Sequence, residues 1–254
     1  MTMVVNARGV TLPVDRTGSG RPGVFFNGGG ATTAIWKRTI AALGDGYEAI
    51  TFDFRGHGRA SRASSYRLPD FIADAEAVMA ALKIGGPIVV GWSLGADVAV
   101  EYALAHRGAI AGLLLIDGAL PTAGPLIADR DAMRRGLKSP FMRVARALMG
   151  LTPYRYAVPI DQYADLVIEV DEHRMSLGDA YDRLGCPTRM VLATATGHGN
   201  GANAERVNAL WRQSGERLAA EHPEIPVTWI EGSHRLPLTH PAEIAAEIAT
   251  IANR

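Results

Sequence analysis

Short apolar runs alternate along the chain with longer segments in which apolar residues recur every three to four positions. The runs are rich in Val, Ile and Leu, which is typical of strands covered on both faces. They predict six strands, at 23–27, 48–54, 87–92, 112–117, 188–195 and 227–232. The longer segments predict amphipathic helices at 34–43, 68–83, 95–107, 202–222 and 241–253. This alternation predicts a parallel sheet with helices on both of its faces.

Two regions depart from this rhythm. The first twenty residues favour an antiparallel hairpin that leads into the sheet. The segment 118–184 has no convincing strand and predicts helices at 129–137, 140–150, 159–173 and 176–184. Because it follows the C-terminal end of a strand, where open α/β sheets bind ligands, we interpret it as a helical cap over a site. The alternative is a lateral group of packing helices with no role there. The predicted domains are therefore a core of 1–117 and 185–254 and a cap of 118–184.

Composition narrows the class of protein. The chain has 254 residues, of which 48% are hydrophobic, and 26 basic residues balance 26 acidic ones. A neutral net charge gives no reason to expect a nucleic-acid partner. Cys186 is the single cysteine, so no internal disulfide can form. With no signal peptide and no long apolar span in the sequence, we expect a cytoplasmic monomer or homodimer that binds a small molecule and no membrane.

The sequence "GWSLG" at 91–95 joins a predicted strand to a predicted helix with almost no loop. The chain must then reverse sharply at Ser93, and glycines at 91 and 95 let the neighbouring backbone pass close to the turn. Ser93 would stand at a helix N-terminus, where the N–H of Leu94 is free to donate to an oxyanion. This predicts an exposed nucleophile beside a hydrogen-bond donor. The alternative is a serine that only caps the helix.

Four motifs in order resemble those of the α/β-hydrolase fold family. They are "NGGG" at 27–30, "FDFRGHGRAS" at 52–61, "GWSLG" at 91–95 and "GSH" at 232–234. The resemblance covers nearly the whole chain. It implies a mostly parallel central sheet flanked by helices, with the helical cap inserted after strand six. It also implies a serine nucleophile at Ser93.

A serine hydroxyl needs a base to take its proton. Of the seven histidines, His234 follows the last predicted strand and lies seven residues before Pro241, a spacing similar to the histidine loop of the family. We therefore predict His234 as the base. His57 resembles a structural position in the family's loop.

The acid that orients the histidine is harder to place. Much of the family carries it after the strand predicted at 188–195, but no Asp or Glu follows until Glu205, and His198 stands in that region. A second arrangement in the family has the acid after the previous strand, and there the chain has Asp117. We predict Asp117 as the acid. The alternative is an Asp-Gly turn that only opens the cap.

Other acids and the glycine loop complete the predicted site. Asp97 lies one helical turn past Ser93 and is a poor candidate for the acid, and Asp53 resembles a structural aspartate of the family. By resemblance, the N–H of Gly29 joins that of Leu94 in the oxyanion hole. Three glycines can also cradle phosphate, but no Lys-Ser or Lys-Thr follows them.

The expected activity is hydrolysis of an ester, lactone or thioester of a small to medium apolar molecule through an acyl-enzyme on Ser93, without metal or cofactor. A carboxylic ester is the most expected substrate. Trp36, Trp92, Met149 and Tyr154 are candidates for the pocket, although each could be ordinary core. Two alternatives stay open. One is a carbon–carbon bond hydrolase or lyase with the same triad, and the other is a ligand-binding member of the fold without turnover.

Overall fold

The strands form one eight-stranded sheet. A computed structural model of the chain describes residues 1–197 and 201–252. The order across the sheet is β1-β2-β4-β3-β5-β6-β7-β8. The strands are β1 (Thr2–Ala7), β2 (Val10–Gly18), β3 (Arg21–Phe26), β4 (Tyr47–Phe52), β5 (Ile88–Trp92), β6 (Gly112–Ile116), β7 (Thr188–Ala195) and β8 (Val227–Ser233). β1 and β2 are antiparallel, as the N-terminal pattern predicted, and β3 to β8 are parallel.

Nine α-helices are present in the described part of the chain. They are α1 (Lys37–Leu43), α2 (Leu68–Leu82), α3 (Leu94–Ala105), α4 (Arg130–Leu137), α5 (Pro140–Met149), α6 (Ile160–Met175), α7 (Ala202–Glu221), α8 (Leu236–Thr239) and α9 (Pro241–Ala252). Short 3-10 helices occupy Thr33–Trp36 and Gly178–Arg183, where the sequence pattern predicted α-helix. The α/β-hydrolase fold predicted from the sequence is confirmed.

Two hydrophobic layers lie on opposite faces of the sheet. One layer contains apolar side chains of α2, α3 and α7, and the other contains those of α9 and the 3-10 turn before α1. Neighbouring strand residues serve opposite layers, as Phe25 and Phe26 do in β3, because successive side chains of a strand point to opposite faces. This two-sided burial explains why the strands read as unbroken apolar runs.

The segment 118–184 is helical and contains no strand within the residues described, apart from an isolated bridge between Tyr156 and His57. Helix α6 packs into the first hydrophobic layer through Leu166 and Val170. Helices α4 and α5 have no buried residue and lie further out. Helix α6 therefore anchors this segment to the core, together with Ala180 and Tyr181 of the second 3-10 helix.

The parallel strands place their C-terminal ends at one edge of the sheet. Ser93 follows β5, Asp117 follows β6, Thr196 follows β7 and His234 follows β8. The glycine loop 27–30 follows β3 at the same edge. Five chain segments that are distant in sequence therefore meet at one place.

Candidate active site

The turn at Ser93 is a strained elbow. Ser93 has a φ of 53° and a ψ of −124°, in a region that non-glycine residues rarely adopt. Its N–H donates to the carbonyl of Ile116 over 2.9 Å, and its own carbonyl accepts the N–H of Ala96 over 2.8 Å. The structure therefore holds the serine in place by backbone hydrogen bonds on both sides.

Both glycines of the elbow are required by close backbone approach. A Cβ atom at Gly91 would lie 2.4 Å from the carbonyl oxygen of Gly95, and one at Gly95 would lie 2.2 Å from the carbonyl oxygen of Phe26. Such contacts are far inside van der Waals distance, so any side chain would displace strand or helix. This is the physical reason for the two glycines that flank Ser93.

The side chain of Ser93 points to the histidine. Ser93 makes no side-chain cap hydrogen bond to its helix. Its Oγ lies 2.9 Å from Nε2 of His234, and Nδ1 of His234 lies 2.6 Å from Oδ2 of Asp117. The structure thus brings together the three residues that the sequence nominated, in the order hydroxyl, imidazole, carboxylate.

Trp92 supports the histidine from the neighbouring strand. Its indole N–H donates to the carbonyl oxygen of His234 over 2.8 Å, and the centres of the two rings are 5.3 Å apart. Trp92 is 7% exposed. Trp92 therefore holds the loop after β8 in place. This role is additional to the contact with substrate that the sequence predicted.

Asp117 is fully buried, and each of its two carboxylate oxygens accepts two hydrogen bonds. Oδ1 accepts the N–H of Ala193 over 2.9 Å and the indole N–H of Trp211 over 3.0 Å. Oδ2 accepts the hydroxyl of Thr196 over 2.8 Å in addition to His234. Burial raises the pKa of Asp117, but the hydrogen bond and charge of His234, with the other donors, outweigh it and leave the pKa below its ordinary value. Asp117 is therefore held as a carboxylate.

Thr196 stands at the end of β7, where much of the family carries its acid. Its Oγ1 lies 3.5 Å from Nδ1 of His234 as well as 2.8 Å from Asp117. A hydroxyl thus occupies this position and supports the acid from β6. His198, which the sequence analysis placed in the same region, lies outside the described residues.

The glycine loop lies against the elbow. A Cβ built on Gly29 would be 3.8 Å from Cβ of Leu94, so the two predicted oxyanion donors are neighbours. Within the described residues, the backbone N–H of neither Gly29 nor Leu94 donates to another group of the chain. Asn27 anchors the start of the loop, since its amide donates to the carbonyl of Phe52 over 2.9 Å and accepts the indole N–H of Trp36 over 2.7 Å.

His57 binds the end of this loop. Its Nε2 accepts the N–H of Gly30 over 2.9 Å, and its Nδ1 lies 2.8 Å from the carbonyl oxygen of Arg55. Burial, with a smaller contribution from the charge of Arg146, outweighs the backbone contacts with Arg55 and Phe54 and lowers the pKa of His57 to about 4. The structural role predicted for His57 is therefore contact with the glycine loop.

The remaining pocket candidates are divided by the structure. Trp36 is fully buried in the second hydrophobic layer, with its ring 5.2 Å from that of Phe25. This packing disagrees with a role for Trp36 in a substrate pocket, because core residues cover its whole side chain. Met149 is partly exposed at the end of α5, and Tyr154 is exposed in the loop that follows. These two stay candidates for substrate contact.

Asp97 belongs to a buried ion pair. The Nε–H of Arg174 is shared between the two carboxylate oxygens of Asp97, over 3.0 and 3.2 Å, and Nη2 donates to Oδ2 over 2.6 Å. Arg174 lies on α6, and its guanidinium stands 5.7 Å from the ring centre of Trp211. The carboxylate of Asp97 therefore pairs with α6 of the predicted cap and not with His234. This agrees with the prediction that Asp97 is a poor candidate for the acid.

Three further observations concern a surface groove, metal binding and membrane spans. A surface groove of about 920 Å³ lies between the N-terminal strands, α1 and the loop after α5, and no triad residue lines it. Among the described residues, no group of three or more His, Cys, Asp or Glu side chains is arranged to hold a metal ion. None of the helices described is long and apolar enough to cross a membrane.

No motif in the sequence pointed to Trp211, Thr196 or Arg174. Trp211 is one apolar position of an amphipathic helix, and its contact with Asp117 spans 94 residues. Thr196 follows a strand with no motif around it. The clustering of donors around Asp117 identifies Trp211 and Thr196, and the ion pair with Asp97 identifies Arg174. Both are properties of the folded chain.

Comparison with known proteins identifies the family of the chain. The sequence profile of the alpha/beta hydrolase family matches residues 24–247. The chain belongs to the alpha/beta hydrolase family. A non-heme haloperoxidase of Rhodococcus erythropolis is 32% identical over 140 residues, which cover 54% of this chain and 50% of that protein. The chain spans about half the length of the curated relatives it matches.

Solved structures share this hydrolase fold along the whole chain. A bromoperoxidase from Bacillus anthracis has a TM-score of 0.75 at 17% identity, with 100% of both chains covered. A thermophilic esterase from Thermogutta terrifontis has a TM-score of 0.67 at 17% identity, with 100% of this chain and 98% of that one covered. At such identities the likeness shows the fold alone.

Proposed function

We propose that this hydrolase cleaves an ester, lactone or thioester of a small to medium apolar molecule through an acyl-enzyme on Ser93. The observation that carries the proposal is the continuous contact from Ser93 Oγ through His234 to Asp117, at 2.9 and 2.6 Å. A carboxylic ester is the preferred substrate. The esterase among the structures of the same fold is consistent with this choice.

The first half-reaction forms the acyl-enzyme. Oγ of Ser93 attacks the acyl carbon while Nε2 of His234 takes the hydroxyl proton. The tetrahedral intermediate collapses, the bond to the leaving oxygen or sulfur breaks, and His234 returns the proton to that atom. In the second half-reaction, water loses a proton to His234 and attacks the acyl carbon. The carboxylic acid leaves, and the proton returns to Ser93.

Asp117 acts on His234 and not on the substrate. With its Nδ1–H directed to Asp117, the imidazole presents the unprotonated Nε2 to Ser93. The carboxylate also stabilises the imidazolium that forms when the proton moves. Because four donors already hold Asp117, it stays ionised and in place during the reaction.

The oxyanion is assigned to the N–H groups of Gly29 and Leu94. Each donor of this kind typically contributes about 2.7–4 kcal/mol to transition-state stabilisation. Met149 and Tyr154 are proposed contacts of the substrate from the cap segment 118–184. The main support for the non-catalytic alternative was the lack of an acid after β7. The 2.6 Å contact between Asp117 and His234 supports an acid after β6 instead.

A fluorophosphonate probe tests the proposal. We expect a single added mass on Ser93, with no labelling of the Ser93→Ala variant and strongly slowed labelling of His234→Ala. Ser176→Ala, an exposed serine at the end of α6, is the matched control and should label as the wild type does. A panel of aryl esters, lactones and thioesters should show saturable turnover that depends on Ser93. A folded protein that the probe does not label would contradict the proposal and favour a binding role.

A further inference from the structure

The glycine loop is a tight turn with an identifiable middle peptide. The N–H of Ala31 donates to the carbonyl of Gly28 over 3.1 Å, which closes a β-turn over residues 28–31. Gly30 has a φ of +74°, the value expected at the third residue of a type II turn. Rotation of the peptide between Gly29 and Gly30 by about 180° would convert such a turn into type I without breaking the closing bond. The closing bond alone therefore does not define the turn.

This middle peptide is held at both of its polar ends. On one side, the N–H of Gly30 donates to Nε2 of His57 over 2.9 Å. On the other side, the carbonyl oxygen of Gly29 accepts the hydroxyl of Tyr163 over 3.4 Å. Because the N–H and C=O of a trans peptide point in opposite directions, the two contacts together resist rotation of the plane.

His57 is fixed as an acceptor. Its Nδ1 faces the carbonyl of Arg55, so the ring proton resides on Nδ1 and leaves the lone pair on Nε2. The ring is 1% exposed and stacks on Tyr156, with centres 5.8 Å apart and an interplanar angle of 15°. A flipped peptide would turn the Gly29 carbonyl toward this lone pair, and two acceptors would then repel each other.

Tyr163 supplies the donor from helix α6. A Cβ atom on Gly30 would lie 3.4 Å from its hydroxyl oxygen, so the phenol lies directly on the turn. Burial raises the pKa of Tyr163 to about 12, which keeps its hydroxyl protonated. Since α6 belongs to the predicted cap and His57 to the core, each contributes one end of the support.

We propose that His57 and Tyr163 are positioning residues that clamp the Gly29–Gly30 peptide and thereby hold the oxyanion turn in its working conformation. The inference rests on the proposed function, because the turn matters for rate only if Gly29 stabilises an oxyanion. Neither residue touches the reacting atoms. The clamped peptide and the Gly28–Gly29 peptide, whose N–H is the assigned oxyanion donor, share Cα of Gly29. The clamp therefore acts on that donor by fixing the backbone dihedrals at Gly29 beside Leu94.

Two variants test the clamp kinetically. Tyr163→Phe removes only the hydroxyl, and we expect kcat to fall about 3- to 10-fold, less than the loss of a whole oxyanion donor. His57→Phe keeps an aromatic ring but removes the acceptor, and we expect kcat to fall about 10- to 100-fold. KM should stay within about twofold, whereas the affinity for a boronic acid that mimics the tetrahedral state should fall in parallel with kcat/KM. Tyr47→Phe and His106→Phe, which change the same residue types far from the turn, should match the wild type.

A second measurement does not depend on catalysis. Amide hydrogen exchange at Gly30 should become at least about tenfold faster in His57→Phe, because the N–H loses its acceptor. If Ser93 were not labelled in the wild type, the proposed function would fail, yet this measurement would still report on the clamp. Unchanged exchange at Gly30, or a rise in KM with kcat and boronate affinity intact, would overturn the clamp. If His57→Phe does not fold, Tyr163→Phe decides the matter alone through kcat and boronate affinity.

Discussion

The indole N–H of Trp211 donates a hydrogen bond to Oδ1 of Asp117 over 3.0 Å and joins helix α7 to the end of strand β6. Trp211 is 2% exposed and Asp117 is fully buried, so the hydrogen bond is shielded from solvent. Asp117 thus contacts both Trp211 of α7 and His234, the proposed base.

Trp211→Phe removes this donor while it keeps an aromatic ring. Hydrogen bonds to charged groups contribute about 1.5–3 kcal/mol, so we expect the free energy of unfolding to fall by that amount. We also expect kcat to fall several-fold with little change in KM, because the acid is less firmly held. Urea unfolding and steady-state kinetics measure the two effects. Trp229→Phe on strand β8 is the matched control, and equal effects in both variants would argue against a specific role for Trp211.

Thr196 offers a position from which a second carboxylate can reach the histidine. Asp117→Asn should lower kcat by about 10⁴, as loss of the triad carboxylate does elsewhere. Because Oγ1 of Thr196 is 3.5 Å from Nδ1 of His234, adding Thr196→Asp should recover at least about tenfold of that loss. Thr196→Asn in the same background adds the shape without the charge and should recover nothing. Recovery by both, or by neither, would show that this end of β7 cannot supply the acid.

The ion pair between Asp97 and Arg174 ties α3 to α6. Arg174→Met would leave the carboxylate of Asp97 buried without a partner, which typically costs about 3–5 kcal/mol. Replacing both residues with apolar ones, as in Asp97→Leu with Arg174→Met, should return much of the loss. Arg130→Met breaks an exposed pair with Glu172 and should cost less than about 1 kcal/mol. Similar losses in the buried and the exposed variants would contradict the assigned role of Arg174.

His57 makes the stability of the fold depend on pH. Its pKa is lowered from 6.5 to about 4 in the folded protein, so between these values the unfolded chain binds more protons. Stability is therefore lost as the pH falls from 6.5 toward 4, by about 3 kcal/mol from this group. His57→Phe should be less stable at pH 7 and should lack most of this slope. Unfolding free energies at several pH values provide the check, and parallel curves for the two proteins would refute it.

The periodic pattern was sufficient to predict the sheet and its helices. Six strands lie where the unbroken apolar runs predicted them, and the N-terminal hairpin lies where it was expected. Burial on both faces of the sheet requires apolar residues at successive positions, so it leaves a local signal in the sequence. The elbow was also predictable, since the clash of Cβ atoms at Gly91 and Gly95 is a direct consequence of the tight turn. His234 and Asp117 came from resemblance and position after strands, and their contact distances required the structure.

The supporting residues escaped prediction for a physical reason. Tyr163 and Trp211 are apolar positions on amphipathic helices, and periodicity gives their face but not the polar atom that they meet. For Trp36 the sequence left two interpretations open, a pocket residue and ordinary core. The fold packs its ring in the second hydrophobic layer. Hydrophobic character alone does not determine which side of the sheet a side chain covers.

The three triad side chains emerge from three different strands, and the histidine is separated from the serine by 141 residues and from the aspartate by 117. Contacts of such long range require the closure of long loops, which has an entropic cost that local contacts do not have. A chain that has completed β5 and β6 but not added β8 at the sheet edge exposes its serine without a base. Reactivity of this serine would then arise only once the last strand has docked, which would make a covalent probe a reporter of completed assembly during refolding or synthesis.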